Sequence, residues 1–367
     1  MAPPTVAVEA LPAGYGDCVL VTCQLAGGAW RMLVDTGPDE CWTTLKTRLS
    51  QIPADGKGKR HIDLAVISHI DHDHIGAARA LFDDRSLGLT FGDIWFNAPP
   101  RPASRGVAEG QSLASLLGAA RTGLPWNKAW GGRPAVVSAE RAFVEFPSNE
   151  GKPRITLLSP NPETLETLFK VWDKELLKLR QPKLPEPPLP PRAAARGVGA
   201  IDLHALAARE TATDRAPANG SSIALLLEHK GASVLLAADA YAPVLIEALQ
   251  ALARHRAVPL PWQFDVFKLS HHGSRANITS DLFGAVQAQH YIVSTNGAIF
   301  GHPDEEAIAR AIVNGGAQRT IWFNYRNDHT ARWDAPQLRK RYGYSVVMPP
   351  LGPGAVVIEI GQDRKRG

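Results

Sequence analysis

Cysteine is scarce in this chain. Cys18, Cys23 and Cys41 are the only three in 367 residues, and their spacing is not that of a zinc finger. They read as buried thiols in a reducing compartment. No apolar run is long enough to span a bilayer. The opening Met1-Ala2-Pro3-Pro4 lacks the basic start and apolar core of a signal peptide. A soluble, cytoplasmic protein with no membrane association is therefore expected. A strong charge bias is missing as well: 40 Lys and Arg stand against 36 Asp and Glu, for a net charge of +4. That balance permits a polyanionic partner without demanding one. Apolar residues are plentiful at 44%, enough for a sizeable core. The length is one that layered α/β folds reach with insertions.

The first third begins with three strand-like runs, Thr5 to Leu11, Cys18 to Cys23 and Trp30 to Val34, joined by short turns. This is an antiparallel start rather than a dinucleotide-binding unit. Trp42, Leu45, Leu49 and Ile52 recur at helical spacing. Strands are expected at Ile62 to Ile67 and Gly92 to Asn97, with short ones at Val136-Val137, Phe143-Val144 and Arg154 to Leu158. Leu113, Leu116 and Leu117 suggest a helix. Another is expected from Glu163 to Arg180, with Leu165, Leu168, Phe169, Trp172, Leu176 and Leu177 as its apolar stripe. Residues 181–191 carry too much proline for a helix interior or a central strand. With the Ala/Arg-rich residues 192–217, expected to be partly disordered, they form an insert at about 181–217 in one domain spanning 1–367. The proline-rich part is also a candidate surface for a protein partner. Beyond Asn219 the strand pattern returns, at Ile223 to Leu227, Ser233 to Ala237, Asp265 to Leu269 and Tyr291 to Ser294. Helices are expected from Tyr241 to Arg256 and from Asp304, and strands close the chain near 320–324, 344–348 and 355–360. Both halves thus run antiparallel strands first and strand–helix units after, which predicts two sheets packed face to face with helices outside.

The densest chemistry lies in Ser68-His69-Ile70-Asp71-His72-Asp73-His74-Ile75-Gly76, between a buried strand and a helix. Three imidazoles and two carboxylates in six residues exceed what a helix cap requires. Imidazole suits zinc-like ions and carboxylate harder ones, so the cluster fits one or two divalent metals. Asp35, His69, Asp239 and His271 each fall just past a predicted strand end. Sites gather at strand ends in layered α/β folds, so these distant residues are expected to converge on one edge.

With these motifs in view, the chain resembles the metallo-β-lactamase fold family. The likeness rests on Val34-Asp35-Thr36-Gly37, Ser68 to Gly76, Ala238-Asp239 and His271-His272-Gly273-Ser274. Adding Gly14 to Asp17, Lys268 to Ser274 and Gly301-His302-Pro303 makes it most similar to the soluble hydrolase domain of ComEC-type DNA-uptake proteins. It covers about residues 5–80 and 219–325. The resemblance implies a four-layer αββα metallo-β-lactamase sandwich, an α/β fold, holding two divalent ions, zinc or manganese. It implies that His69 and Asp71 hold one metal, that Asp73, His74 and His271 hold the other, and that Asp239 bridges. Asp35 would brace a ligand. Asp73 would also act in catalysis, and His272 and His302 would touch a phosphate or protonate a leaving group.

Two departures from the family pattern stand out. Asp71 replaces a histidine, which makes the first site harder. The further histidine expected before Asp239 is not evident, and Asn219 lies in the nearest matching segment. The activity implied is that of a metallo-hydrolase, foremost a phosphodiesterase or nuclease acting on nucleic acid. A hydrolase of small esters, lactones or phosphocholine-type groups is the alternative, and a non-catalytic interaction module the third reading.

Overall fold

A computed structural model describes residues 4–99, 109–119, 122–179 and 201–361. Its strands form two large sheets and a small ribbon. The first sheet takes β1 (Val6–Ala10), β2 (Val19–Leu25), β3 (Gly28–Val34), β4 (Arg60–Val66), β5 (Leu89–Trp95) and, from the far end of the chain, the strand Val356–Ile360. The second takes β6 (Val144–Phe146), β7 (Arg154–Ser159), β8 (Ala224–His229), β9 (Ala232–Leu236), β10 (Trp262–Lys268), β11 (Val286–Val293), β12 (Thr320–Phe323) and the strand Ser345–Val347. Tyr325–Arg326 and Gly352–Pro353 pair as the ribbon. In the first sheet Val356–Ile360 lies beside β1, so the chain's two ends close one edge.

Strand parity explains the layers. Leu225 and Leu227 of β8 and Val234 and Leu236 of β9 face the first sheet, where they meet Val8, Val21, Met32, Val34 and Val66. Their neighbours Leu226 and Leu235 point the other way, onto Leu245, Leu249 and Leu252 of the helix α8 (Ala242–Arg256) and Ile308 and Ile312 of α9 (Glu305–Asn314). Alternate residues of a strand face opposite sides, so a strand apolar throughout is one covered on both faces. On the first sheet's outer face, Leu20, Leu33 and Ala65 pack on Leu45 and Leu49 of α1 (Trp42–Ser50), Leu81 and Phe82 of α3 (Ala78–Asp83), Leu113 of α4 (Glu109–Leu117) and Leu168 and Trp172 of α5 (Pro162–Leu179). The result is the expected four-layer αββα sandwich. Among the described residues no helix is long and apolar enough to cross a membrane.

Three local expectations are revised or left aside. Val136-Val137 forms no strand: Ala135 is held by a two-way bond with the Asn97 amide, at 2.8 Å each way, and Val137 N–H reaches Pro160 O at 2.9 Å. Within the Ala/Arg-rich stretch, residues 201–217 are ordered. Asp202 caps α6 (Leu203–Ala207), whose Leu203 and Leu206 join the core, and α7 (Pro217–Gly220) follows. The proline-rich stretch 181–191 lies outside the described residues, as do the side chains of Leu176 and Leu177.

Pairing direction positions the site. β3 and β4 run parallel with Val34 opposite Val66, and β9, β10 and β11 run parallel with Lys268 between Leu236 and Ile292. The carboxyl ends of five strands therefore open on one rim.

Candidate metal centre

Each loop at that rim has a physical reason for its shape. Asp35 leaves β3 with φ 61° and is fully buried. Its carboxylate accepts from Ser68 N–H at 2.7 Å, Ser68 Oγ at 2.8 Å and His74 Nδ1 at 2.8 Å. The opening motif already contains a helical turn, α2 (His72–Ile75), held by His74 N–H and Ile75 N–H bonding back to Asp71 O. The turn Gly14 to Asp17 packs directly on it. A Cβ at Gly16 would meet Asp73 O at 1.8 Å, so only glycine fits. Asp17 N–H bonds Asp73 O at 3.1 Å, and Ser294 Oγ bonds Gly16 O at 2.8 Å. On the second sheet, Asp239 follows the left-handed Ala238, and His271 N–H bonds Ala238 O at 2.8 Å. Consecutive positive φ values of 49° and 54° at His271 and His272 turn their two rings apart.

Four imidazoles are brought together, and the Nδ1 atom of each is tied. His74 Nδ1 meets the Asp35 carboxylate. His272 Nδ1 meets Ser294 O at 2.9 Å. His271 Nδ1 meets Asn277 Oδ1 at 2.9 Å. His69 Nδ1 lies 3.0 Å from Ser68 Oγ, whose own proton goes to Asp35. Every one of these partners accepts, so every Nδ1 donates and every Nε2 turns to the common interior.

Around the Nε2 atoms stand three carboxylates. His74 Nε2 is 3.2 Å from His272 Nε2 and 3.3 Å from Asp239 Oδ1, and His272 Nε2 is 3.3 Å from Asp73 Oδ2. On the other side of Asp239, its Oδ2 lies 3.9 Å from His69 Nε2 and 3.7 Å from His271 Nε2, and Asp71 Oδ2 lies 3.8 Å from His69 Nε2. It is thus His272, rather than His271, that stands against Asp73 and His74. His271 stands beyond Asp239, on the side of His69. His272 is wholly buried.

The donor set fits a cation. His69 Nε2 and Asp239 Oδ1 are buried with no hydrogen-bond partner. Two Nε2 lone pairs 3.2 Å apart repel unless a proton or a cation lies between them. Burial would raise the Asp239 carboxyl, but His74, His271 and His272 outweigh it and hold it well below the usual carboxylate range. Burial likewise acts against His271, yet Asp239 and Asp214 push it up to about 9. His69 goes the other way, lowered to about 3 by burial and the neighbouring His74. The buried carboxylates demand positive charge, which imidazolium protons or a bound metal supply.

Asp17, His74, Asp239 and His272 offer atoms that all lie within 4.8 Å of one another. Asp17 stands behind the imidazoles, however: its Oδ1 is 3.3 Å from His272 Nδ1, and its Oδ2 pairs with the buried Lys268 Nζ. The sequence flagged Asp17 as part of a turn and of the Gly14-to-Asp17 motif, but not as a site residue. The signal for its partner was a lone lysine inside the apolar run Val266-Phe267-Lys268-Leu269. Asn219 is buried, with its amide donating to Asp214 Oδ2 at 2.7 Å and lying 3.4 Å from His271 Nδ1. His302 packs edge-on to the His271 ring at 5.2 Å, with Nδ1 3.4 Å from Asp304 Oδ2, and burial lowers its pKa. His72 turns outward, its Nε2 3.3 Å from Asp39 Oδ1.

Residues 11–109 match the family model described as Metallo-beta-lactamase superfamily. That stretch holds His69 to His74 but neither Asp239 nor the histidine pair. No curated protein matches the chain. Among solved structures the chain is similar to the crystal structure of the metallo-beta-lactamase fold protein YhfI from Bacillus subtilis. The identity is 12%, the match covers 96% of this chain and 99% of that one, and the TM-score is 0.38.

Proposed function

We propose that this chain is a metal-dependent hydrolase that cleaves phosphodiesters, with nucleic acid as its substrate class. The convergence of four Nε2 atoms with Asp71, Asp73 and Asp239 at one rim carries the reading. Asp73, His74 and His272 would hold one divalent ion, and His69, Asp71 and His271 a second, with Asp239 between them. Zinc or manganese bound there would supply a water of lowered pKa and offset the charge that grows on a phosphoryl oxygen. The phosphodiester choice is supported by the motif likeness to ComEC-type hydrolases and by the oxygen ligand Asp71 in place of nitrogen, which suits harder ions.

The chain's own groups then divide the work. Asp35, Ser294 and Asn277 fix the imidazole tautomers so that ligand lone pairs need no reorganisation. Asp73, besides holding the ion, would orient the attacking water through its carboxylate. His302 lies next to the centre, and burial lowers its pKa. It would touch a phosphoryl oxygen or serve the leaving group. His272, deep inside the cluster, takes no part in substrate contact.

The test is metal analysis of the purified protein with parallel assays on single- and double-stranded DNA and RNA, with zinc or manganese added. About two ions per chain and cleavage of a phosphodiester are expected. Filled metal sites without cleavage of any of these polymers would overturn the nuclease reading. Turnover of lactones or small esters in their place would establish the alternative.

A further inference from the structure

Of the four imidazoles, His271 has the most elaborate mooring, and it comes from the segment that looked least informative in the sequence. Asp214 Oδ2 lies 3.3 Å from His271 Nδ1. The same oxygen accepts from Asn219 Nδ2 at 2.7 Å and Asn277 Nδ2 at 3.0 Å. Asn277 Nδ2 also reaches Asp239 O at 3.1 Å, which fixes the amide so that its Oδ1 faces the imidazole at 2.9 Å. One carboxylate thus gathers the two amides that border His271.

Asp214 is delivered to this place by a second device. Arg310 of α9 is one of the largest fully buried side chains. Its guanidinium donates to Ala207 O at 3.2 Å, to Thr211 Oγ1 at 3.2 Å and to Arg209 O on one side. On the other it donates to Arg275 O at 2.9 Å and Ile278 O at 2.8 Å. The segment 207–211, which leads to Asp214, is therefore clamped to the segment 275–278, which follows His271. Thr211 Oγ1 adds a bond to Arg275 O at 2.9 Å, and Asp214 Oδ1 takes Ala216 N–H at 2.9 Å.

We infer that Asp214 is a positioning residue for His271: it anchors the Asn277 amide whose Oδ1 accepts from Nδ1–H, and so holds that tautomer and aims Nε2 at the centre, with Arg310 setting the distance. This rests on the reading of His271 as a ligand. The physical ground is general. A ligating histidine is oriented by the acceptor on its other nitrogen, and losing that acceptor weakens metal binding about 10–100-fold.

The experiment compares the wild-type chain with Asp214→Ala, Asp214→Asn and Arg310→Met. Zinc affinity is read by competition with a chelating dye, and the His271 ring nitrogens of the zinc-loaded protein by NMR. The expected result is a Nδ1–H, Nε2-bound His271 in the wild type. Asp214→Ala should bind one of the two zinc ions about 10–100-fold more weakly and lose that ring signature. Asp214→Asn, which keeps an acceptor oxygen, should retain the signature and most of the affinity. Arg310→Met tests the clamp separately from the ligand shell, and should reproduce the Asp214→Ala loss in attenuated form. A folded Asp214→Ala chain with unchanged zinc affinity and an unchanged ring signature would overturn the inference alone. A wild-type chain that binds no zinc through His271 would overturn the inference together with the ligand reading beneath it. Failure to cleave nucleic acid would touch neither measurement.

Discussion

The two sides of Asp239 differ in tightness. On one, the closest approaches among Asp73, His74, His272 and Asp239 fall to 3.2–3.3 Å, beside longer ones of 3.8–3.9 Å, and the groups are buried almost completely. On the other, His69, Asp71 and His271 keep 3.7–3.9 Å, and the Asp71 side chain is 29% exposed. Behind the tight side stand rigid, charged braces: Asp35 on His74, and the Asp17–Lys268 pair on His272. Behind the open side stand hydroxyls and amides, Ser68, Ser222, Asn219 and Asn277, together with the carboxylate of Asp214. The lesson is one of division of labour. A tight, fully braced side would suit a permanently held ion, and a side with an exposed carboxylate one that exchanges with solvent.

Three substitutions break or sharpen that contrast. The largest effect is expected at the residue both sides share. Asp239→Ala should abolish loading of both ions, seen as a metal content near zero after dialysis against trace metal. If one ion remained at full occupancy, the sides would be independent and Asp239 no bridge. Next comes Lys268→Met. It leaves Asp17 buried without its cation, and breaking a buried pair from one end costs about 3–5 kcal/mol. Denaturant unfolding of the metal-free protein should show that loss. An unchanged midpoint would mean that His272 alone satisfies Asp17. The smallest effect is expected from His69→Ala. It should lower the metal content from about two to about one and leave the thermal midpoint within a few degrees of the wild type, because the tight side is intact. A collapse of both sites would make the open side the structural one.

Much of this was legible in the sequence, for definite reasons. The order of elements in each half, antiparallel strands first and strand–helix units after, placed two sheets face to face with helices outside. Strand ends marked Asp35, His69, Asp239 and the 271–272 pair as neighbours, because parallel pairing aligns carboxyl ends. What was not legible depended on torsions and on distant partners. His271 and His272 are adjacent in the chain, and only two consecutive left-handed residues decide which of them faces Asp73. Asp214 sits in a stretch whose composition resembles a linker, and its meaning comes from Arg310, which no local pattern ties to it. Asp17 and Lys268 each lie in a motif of the family likeness, but their pairing shows only when the packing of the sheets brings them together.

The separation of the donors along the chain carries a consequence for how the protein comes into being. His74 and His272 are 198 residues apart, yet their Nε2 atoms nearly touch. A nascent chain that has emerged only as far as β5 exposes the 68–76 segment without Asp239 or either later histidine. Contacts this remote form late in folding, after the costly closure of a long loop. During synthesis the chain therefore passes through an interval in which it carries half a metal site and no competence. That order of events leaves the rim without its full set of donor groups until the whole sandwich has closed around it.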